Sequence, residues 1–332
     1  MTDLALAAPK SNGFLSTATL QKAVAFVVLI SLVVFFSVFA DNFFAWNNMV
    51  NIMLATAVNG VLGVACTFVI ISGGIDLSVG TMMTFTAVIS GLLLANLGLP
   101  MPFGVIGAML GGAFMGGISG AIIAKFKIPP FIATLGMMQI TRGLALVMSG
   151  GHPIYFDSVP NYGLISADSS ITLLFPNLEF PNGVVVMFAV AIIAAIILNR
   201  TILGRYVFAL GSNEEAARLS GMNVDFWKIV TYALSGLIAG IAGLLVSSRL
   251  ASAQPALGMG YELDAIAACV IGGTSLSGGR GSVVGTIIGA FVMSTLTNGL
   301  RVMGAAEEWK IVVTGIVIIA AVYIDMFLRK KA

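Results

Sequence analysis

Charged residues are spaced so widely along this chain that most of it can fold only with lipid, not water, as its solvent. Eighteen uncharged residues separate Lys22 from Asp41, 34 separate Asp41 from Asp76, and 48 separate Asp76 from Lys125. Glu179 to Arg200, Lys228 to Arg249 and Arg280 to Arg301 each enclose 20. A helix that crosses the hydrocarbon core needs about 20 mostly apolar residues, and a charge at its centre costs roughly 2.5–3.5 kcal/mol on the insertion scale. The uncharged intervals therefore mark where bilayer can lie. Composition agrees: 58% of the 332 residues are hydrophobic and 9% are charged, against about 25% charged in a soluble domain. One water-soluble core of this length cannot bury that much apolar surface. The expected fold is an all-α, polytopic transmembrane helical bundle.

Ten spans are expected: Ala23–Ala40, Val50–Ser72, Leu77–Leu97, Phe103–Ala124, Pro129–Ser149, Gly183–Leu198, Ile229–Ser247, Tyr261–Gly273, Val283–Leu300 and Ile311–Phe327. The eighth is short and reads as re-entrant or broken. The polar tail 1–22 lacks the early apolar region of a signal peptide, so the first apolar run reads as an uncleaved span. Lys and Arg in short loops set orientation. With the N-terminus cytoplasmic, the inner loops and tails hold twelve of the sixteen: Lys10, Lys22, Lys125, Lys127, Arg200, Arg205, Arg218, Lys228, Arg280, Arg329, Lys330 and Lys331. Outside lie Arg249, Arg301 and Lys310, and Arg142 falls within a span. The long outer loop 150–182 carries Asp157, Asp168 and Glu179 and no Lys or Arg. Both termini are expected in the cytoplasm.

Glycine adds a packing signal. Gly112, Gly116 and Gly120 fall four apart, as do Gly236 and Gly240, and Gly285 and Gly289. Small residues at that spacing let helix backbones approach closely in a membrane. A short internal likeness joins Gly74-Ile75-Asp76-Leu77-Ser78 to Gly260-Tyr261-Glu262-Leu263-Asp264. Five spans separate the two, so the halves would be inverted, a common transporter design. Chance similarity is the alternative.

Several classes of chemistry find no support. The net charge is +2, which gives no basis for nucleic-acid binding. Cys66 and Cys269 sit in apolar stretches and read as packing residues, and His152 is the only histidine. No metal site and no cofactor is expected, and no nucleophile–base arrangement stands out. Trp46, Trp227 and Trp309 fall near span ends, where an interfacial belt would put them.

The most informative segment runs from Leu203 to Gly221, within the inner loop 199–228. A short helix is expected from Ser212 to Ser220, with Ser212 capping it and Glu215 completing a capping box. Glu214 and Glu215 suit the positive end of its dipole, Ala216 and Ala217 give it a small, smooth face, and Gly221 is a left-handed stop. A rigid helix in a cytoplasmic loop reads as a docking knob; an ordinary amphipathic linker is the alternative.

This loop resembles the EAA-type coupling loop of ABC-transporter permeases, in particular bacterial importers of the ribose, galactose and arabinose group. Similar motifs recur in order at Ser72–Gly80, Phe131–Leu135, Ser252–Pro255, Gly260–Ala268 and Gly272–Gly279, with a departure at Arg280-Gly281-Ser282. The resemblance covers about Phe43 to the C-terminus. It implies a multi-pass subunit of the bacterial inner membrane, paired with a second permease subunit, two cytoplasmic ATPase domains and a periplasmic sugar-binding protein. The transported solute would be a monosaccharide, ribose or a related sugar. Coupling to the ATPase would fall on Gly204, Arg205, Gly211, Asn213, Glu214, Glu215, Ala216, Ala217, Arg218 and Gly221. The chain has no Gly-Lys pair and hence no phosphate-loop motif, so ATP would be hydrolysed by the partner domains.

Other residues are candidates for a gate or path. Gly73 and Gly74 break one span, and Asp76 or Ser78 opens the next; a plain capped turn is the alternative reading. Asn59, Thr134 and Gln139 offer hydrogen bonds within spans, and Arg142 is an ionisable residue at membrane depth. Glu262 and Asp264 would either touch the docking protein or cap their helix. Two rivals from other classes are weaker: an ion-driven secondary transporter predicts paired acids deep in the spans, and a membrane enzyme predicts clustered His, Asp or Glu. Within the family, an autoinducer or nucleoside remains a possible solute.

Overall fold

The computed structural model describes residues 17–170, 172 and 180–330. Lys10, Glu179 and Lys331 lie outside the described residues. The helices run α1 (Thr17–Phe39), α2 (Trp46–Ile71), α3 (Val79–Gly91, continued by a π-turn over Leu92–Asn96), α4 (Met101–Phe126), α5 (Pro130–Ser149), α6 (Asn182–Arg200), α7 (Ile202–Ser212), α8 (Glu214–Leu219), α9 (Val224–Leu250), α10 (Tyr261–Ile271), α11 (Val283–Val302) and α12 (Glu307–Lys330). The described sheet is one antiparallel pair, β1 (Ile154–Tyr155) with β2 (Ser252–Ala253).

Each of the ten expected spans coincides with one of these helices, and α7 and α8 fill the expected inner loop. Among the described residues, eight helices are long and apolar enough to cross a bilayer. The eighth expected span is α10, of 11 residues; at 1.5 Å per residue it reaches about half the hydrocarbon thickness. Local chemistry sets several ends. Pro102 and Pro130 stand in the first turns of α4 and α5, where the missing amide hydrogen costs nothing. Gly150 ends α5 in a left-handed conformation at φ 63°.

The core is arranged around α2, whose apolar window is 94% buried within the bundle. By contrast α1, α4, α5, α6 and α12 expose rows of Phe, Ile, Leu and Val, the pattern expected of lipid-facing helices. The packing has an internal exchange symmetry: α4 packs on α9 as α11 packs on α2, and α3 packs on α9 as α10 packs on α2. The C-terminus of α2 meets Gly211 and Gly279 at one end of the bundle, whereas the C-terminus of α9 leads into β2 and β1 at the other. The two halves therefore run in opposite directions, as the short sequence likeness suggested.

The glycines expected to bring helices together do so. A Cβ on Gly112 would stand 2.1 Å from the carbonyl oxygen of Gly236, one on Gly116 2.2 Å from that of Tyr232, and one on Gly289 2.0 Å from that of Ala268. No side chain fits in those seams. Thr67 adds a polar link, with its hydroxyl 2.7 Å from that of Thr286.

Candidate functional site

The site has two parts, a helix on one face of the bundle and a pair of chain breaks inside it. On the face, α7 is capped by Thr201, whose hydroxyl accepts from the Gly204 amide at 3.4 Å. α8 follows after one extended residue, Asn213, at φ −163°. Asn213 Oδ1 accepts from the Ala216 amide at 2.9 Å, so Asn213 is the cap. Ser212, expected to be the cap, is the last residue of an additional helix, α7, and with Asn213 as the cap Glu215 stands one position too early to complete the expected capping box. The stop is as expected: Gly221 is left-handed at φ 88°.

One side of α8 is fastened down. Ala217 is buried against Leu210, Met222 and Val224. Glu214 pairs with Lys228 at 2.7 Å and with Arg218 at 3.5 Å, and Arg218 reaches Asp225 at 3.5 Å. Apart from the half-buried Lys228 the partners are exposed, and surface pairs of this kind contribute about 0–1 kcal/mol each, so they orient the helix more than they stabilise it. The other side is open: Glu215 and Ala216 are exposed, and Leu219 is 84% exposed. Arg205 is exposed on α7.

The base of this unit is locked into the bundle at Gly211. A Cβ there would lie 1.8 Å from the carbonyl oxygen of Ile71 and 2.5 Å from the amide nitrogen of Gly279. The Gly279 amide itself donates to the Ile71 carbonyl at 2.8 Å. Gly73, at φ 84°, packs its own backbone on Gly211. Three segments distant in sequence thus meet backbone to backbone: the end of α7, the break after α2, and the turn between α10 and α11.

The first break runs from Ser72 to Ser78. Gly74 lies under the Tyr232 hydroxyl, which a Cβ would approach to 2.3 Å. Asp76 is 2% exposed. Its Oδ1 accepts from the Ser78 amide at 2.9 Å and the Ser78 hydroxyl at 2.6 Å, and its Oδ2 accepts from Ser235 on α9 at 3.2 Å. The side chain closes a local turn before α3 begins and ties that turn to α9. Thr134 on α5 donates to the Ile75 carbonyl at 3.1 Å. The second break ends at Gly260. A Cβ on Gly80, near the start of α3, would meet the Gly258 carbonyl oxygen at 2.3 Å, so the starts of α3 and α10 touch inside the bundle.

The remaining candidates lie apart from the first break, and two of them, Asn59 and Asp264, line one cavity. Glu262 is 6% exposed and accepts from the Gly260 amide at 3.1–3.2 Å, which makes it an internal cap of α10. Asp264 lies two residues further on. Asn59 is buried on α2, where its amide donates to Ser294 at 3.4 Å. Gln139 faces outward on α5, and Arg142 is half-buried on the same helix. The partners of the first break, Tyr232 and Ser235, carry no sequence signal: each is an ordinary residue of a long apolar helix more than 150 positions away.

Comparison with known proteins covers nearly the whole chain. Residues 48–322 match the family described as branched-chain amino acid transport system / permease component. The chain is 40% identical to the ribose import permease protein RbsC of Escherichia coli (strain K12) over 312 residues, 94% of this chain and 96% of that protein. It is 40% identical to the fructose import permease protein FrcC of Rhizobium meliloti over 312 residues, covering 92% and 85%. Identity to the xylose transport system permease protein XylH of Escherichia coli (strain K12) is 33%, covering 100% and 98%.

Proposed function

We propose, from the premise that this chain belongs to the branched-chain amino acid transport system / permease component family, that it is the membrane subunit of a monosaccharide importer driven by separate ATP-binding-cassette subunits. The observation that carries the mechanism is the contact at Gly211. The exposed side of α8 is suited to dock in another protein, and Gly211, three residues before its start, bears directly on both the Ser72–Ser78 break and the α10–α11 turn. A push on α8 from a closing ATPase therefore has a rigid, backbone-to-backbone route to the break before α3 and the turn after α10. Glycine at each contact leaves no flexible side chain to absorb the displacement.

The similar proteins are named for ribose, fructose and xylose, and we take a pentose or hexose as the solute, with ribose the first choice. A periplasmic sugar-binding protein would deliver it. The orientation that fits places α8 and both termini in the cytoplasm, and segment 150–182 with β1 and β2 in the periplasm. A second copy of the chain is supported by α5. Its outward face carries Gly136, Gln139 and Gly143, where a Cβ on either glycine would meet nothing within 4 Å. Small residues beside an amide suit a helix–helix contact with a polar path at its edge better than they suit lipid.

The test is uptake by proteoliposomes holding this subunit, its ATPase subunits and the cognate binding protein. ATP-dependent accumulation of labelled ribose, fructose or xylose is expected. Accumulation of none of them, with ATP hydrolysis intact, would refute the reading.

A further inference from the structure

A polar cavity of about 120 Å³ enters the bundle from the end that carries β1 and β2. Asn51 and Asn59 of α2, Arg249 of α9, Asp264 of α10, and Asn298 and Arg301 of α11 line it. Asn51 and Asn59 are eight residues apart, so the lining extends about 12 Å along the α2 axis. The cavity exists because α10 begins inside the bundle: the chain after β2 descends to Gly258, and α10 leaves the space above its first turn unfilled.

Two groups in its walls are unsatisfied. Asn59 and Asn298 are each 8% exposed, and the side-chain oxygen of each has no hydrogen-bond partner. A buried amide oxygen left bare is destabilising by about 1–3 kcal/mol, so such groups are kept where something else supplies the donor. The charges around them are mixed, two guanidinium groups and one carboxylate. A simple anion would face Asp264 and two amide oxygens; a cation would face Arg249 and Arg301. A polyhydroxylated molecule suits donors and acceptors alike, because every hydroxyl is both.

We infer that this cavity is a monosaccharide site, the first that a solute meets within the membrane subunit, with Asn59 and Asn298 accepting from sugar hydroxyls and Arg249 and Arg301 donating to them. The inference rests on the sugar-import reading and adds to it a place.

Thr297 gives access for a test. It lines the cavity, and its hydroxyl proton is committed to the Met293 carbonyl at 2.7 Å, so Thr297→Cys removes no donor from the site and leaves the Asn and Arg contacts in place. The native cysteines are both buried. The assembled transporter, without its binding protein, is labelled from the outer side with a small charged thiosulfonate. Sugar at about four times its dissociation constant is expected to slow labelling about fivefold by occupancy, and to leave labelling of a Phe44→Cys control unchanged. Adding Asn298→Leu should raise the concentration for half-protection about tenfold.

Unslowed labelling in a transporter that still imports the sugar would overturn the site and leave the importer reading standing. Import of no sugar at all would remove the premise.

Discussion

The amide of Gly279 donates to the carbonyl of Ile71 at 2.8 Å, which joins the turn before α11 to the end of α2 across more than 200 residues of sequence. Gly211 lies against both partners of this bond. At this junction the unit that carries the exposed helix α8 bears on the break before α3 and on the turn after α10.

Gly211→Ala should therefore separate the two activities of the assembled transporter. The added methyl has no room against the Ile71 carbonyl, and misfit of this kind costs about 1–3 kcal/mol, on the order of a tenfold loss in any step that needs the junction intact. Uptake in proteoliposomes should fall about that much while ATP hydrolysis continues. Equal loss of both, or of neither, would argue against transmission through Gly211.

The seam between α4 and α9 gives a stability prediction with an internal control. Gly116→Leu would drive its side chain into the Tyr232 carbonyl, whereas Gly136→Leu enters open space. The first should destabilise the detergent-solubilised protein by about 3 kcal/mol, and the second should leave monomer stability unchanged while weakening association of two copies. Thermal unfolding followed by size-exclusion chromatography measures both.

Asn213→Ala removes the cap of α8 and should cost it about 1 kcal/mol. Since α8 is six residues long, it has little helical propensity of its own. Hydrogen exchange at Ala216 should accelerate, and affinity for the ATPase subunits should fall. Unchanged exchange would show that Ala217 packing alone holds the helix.

Sidedness can be read with single cysteines. Leu219→Cys on α8 and Tyr155→Cys in β1 are both well exposed, at 84% and 60%. An impermeant maleimide should label the first only from the cytosolic side and the second only from the periplasmic side. The reverse pattern would invert the topology, and with it the assignment of α8 to an ATPase.

Much of this architecture is legible in the sequence because lipid penalises charge so heavily that gaps between charges locate spans. The glycine seams were legible for the same reason: a four-residue spacing in an apolar helix has few other uses. The start of α8 was misread by one residue because Ser212 and Asn213 are both good caps. What decides between them is α7, which carries Gly204 and Gly211 and so has weak helical propensity of its own; its tertiary contacts hold it. The role of Gly211 as a junction could not be read locally, since its partners Ile71 and Gly279 come from remote segments. The same is true of Ser235 beside Asp76. Asn298, Arg249 and Arg301 were passed over because an amide or a guanidinium near a span end looks like ordinary interfacial polarity until the missing turn of α10 opens a space between them.

The meeting of α3 and α10 at Gly80 and Gly258 has an electrical consequence. Two helix N-termini converge at that depth, and each brings roughly half a positive charge. Asp76 lies at one and Glu262 at the other. Two ionised carboxylates outweigh two half charges, so the meeting point is acidic in character. A point of that sign disfavours anions and is indifferent to an uncharged cargo, whose own neutrality keeps the membrane potential from acting on it.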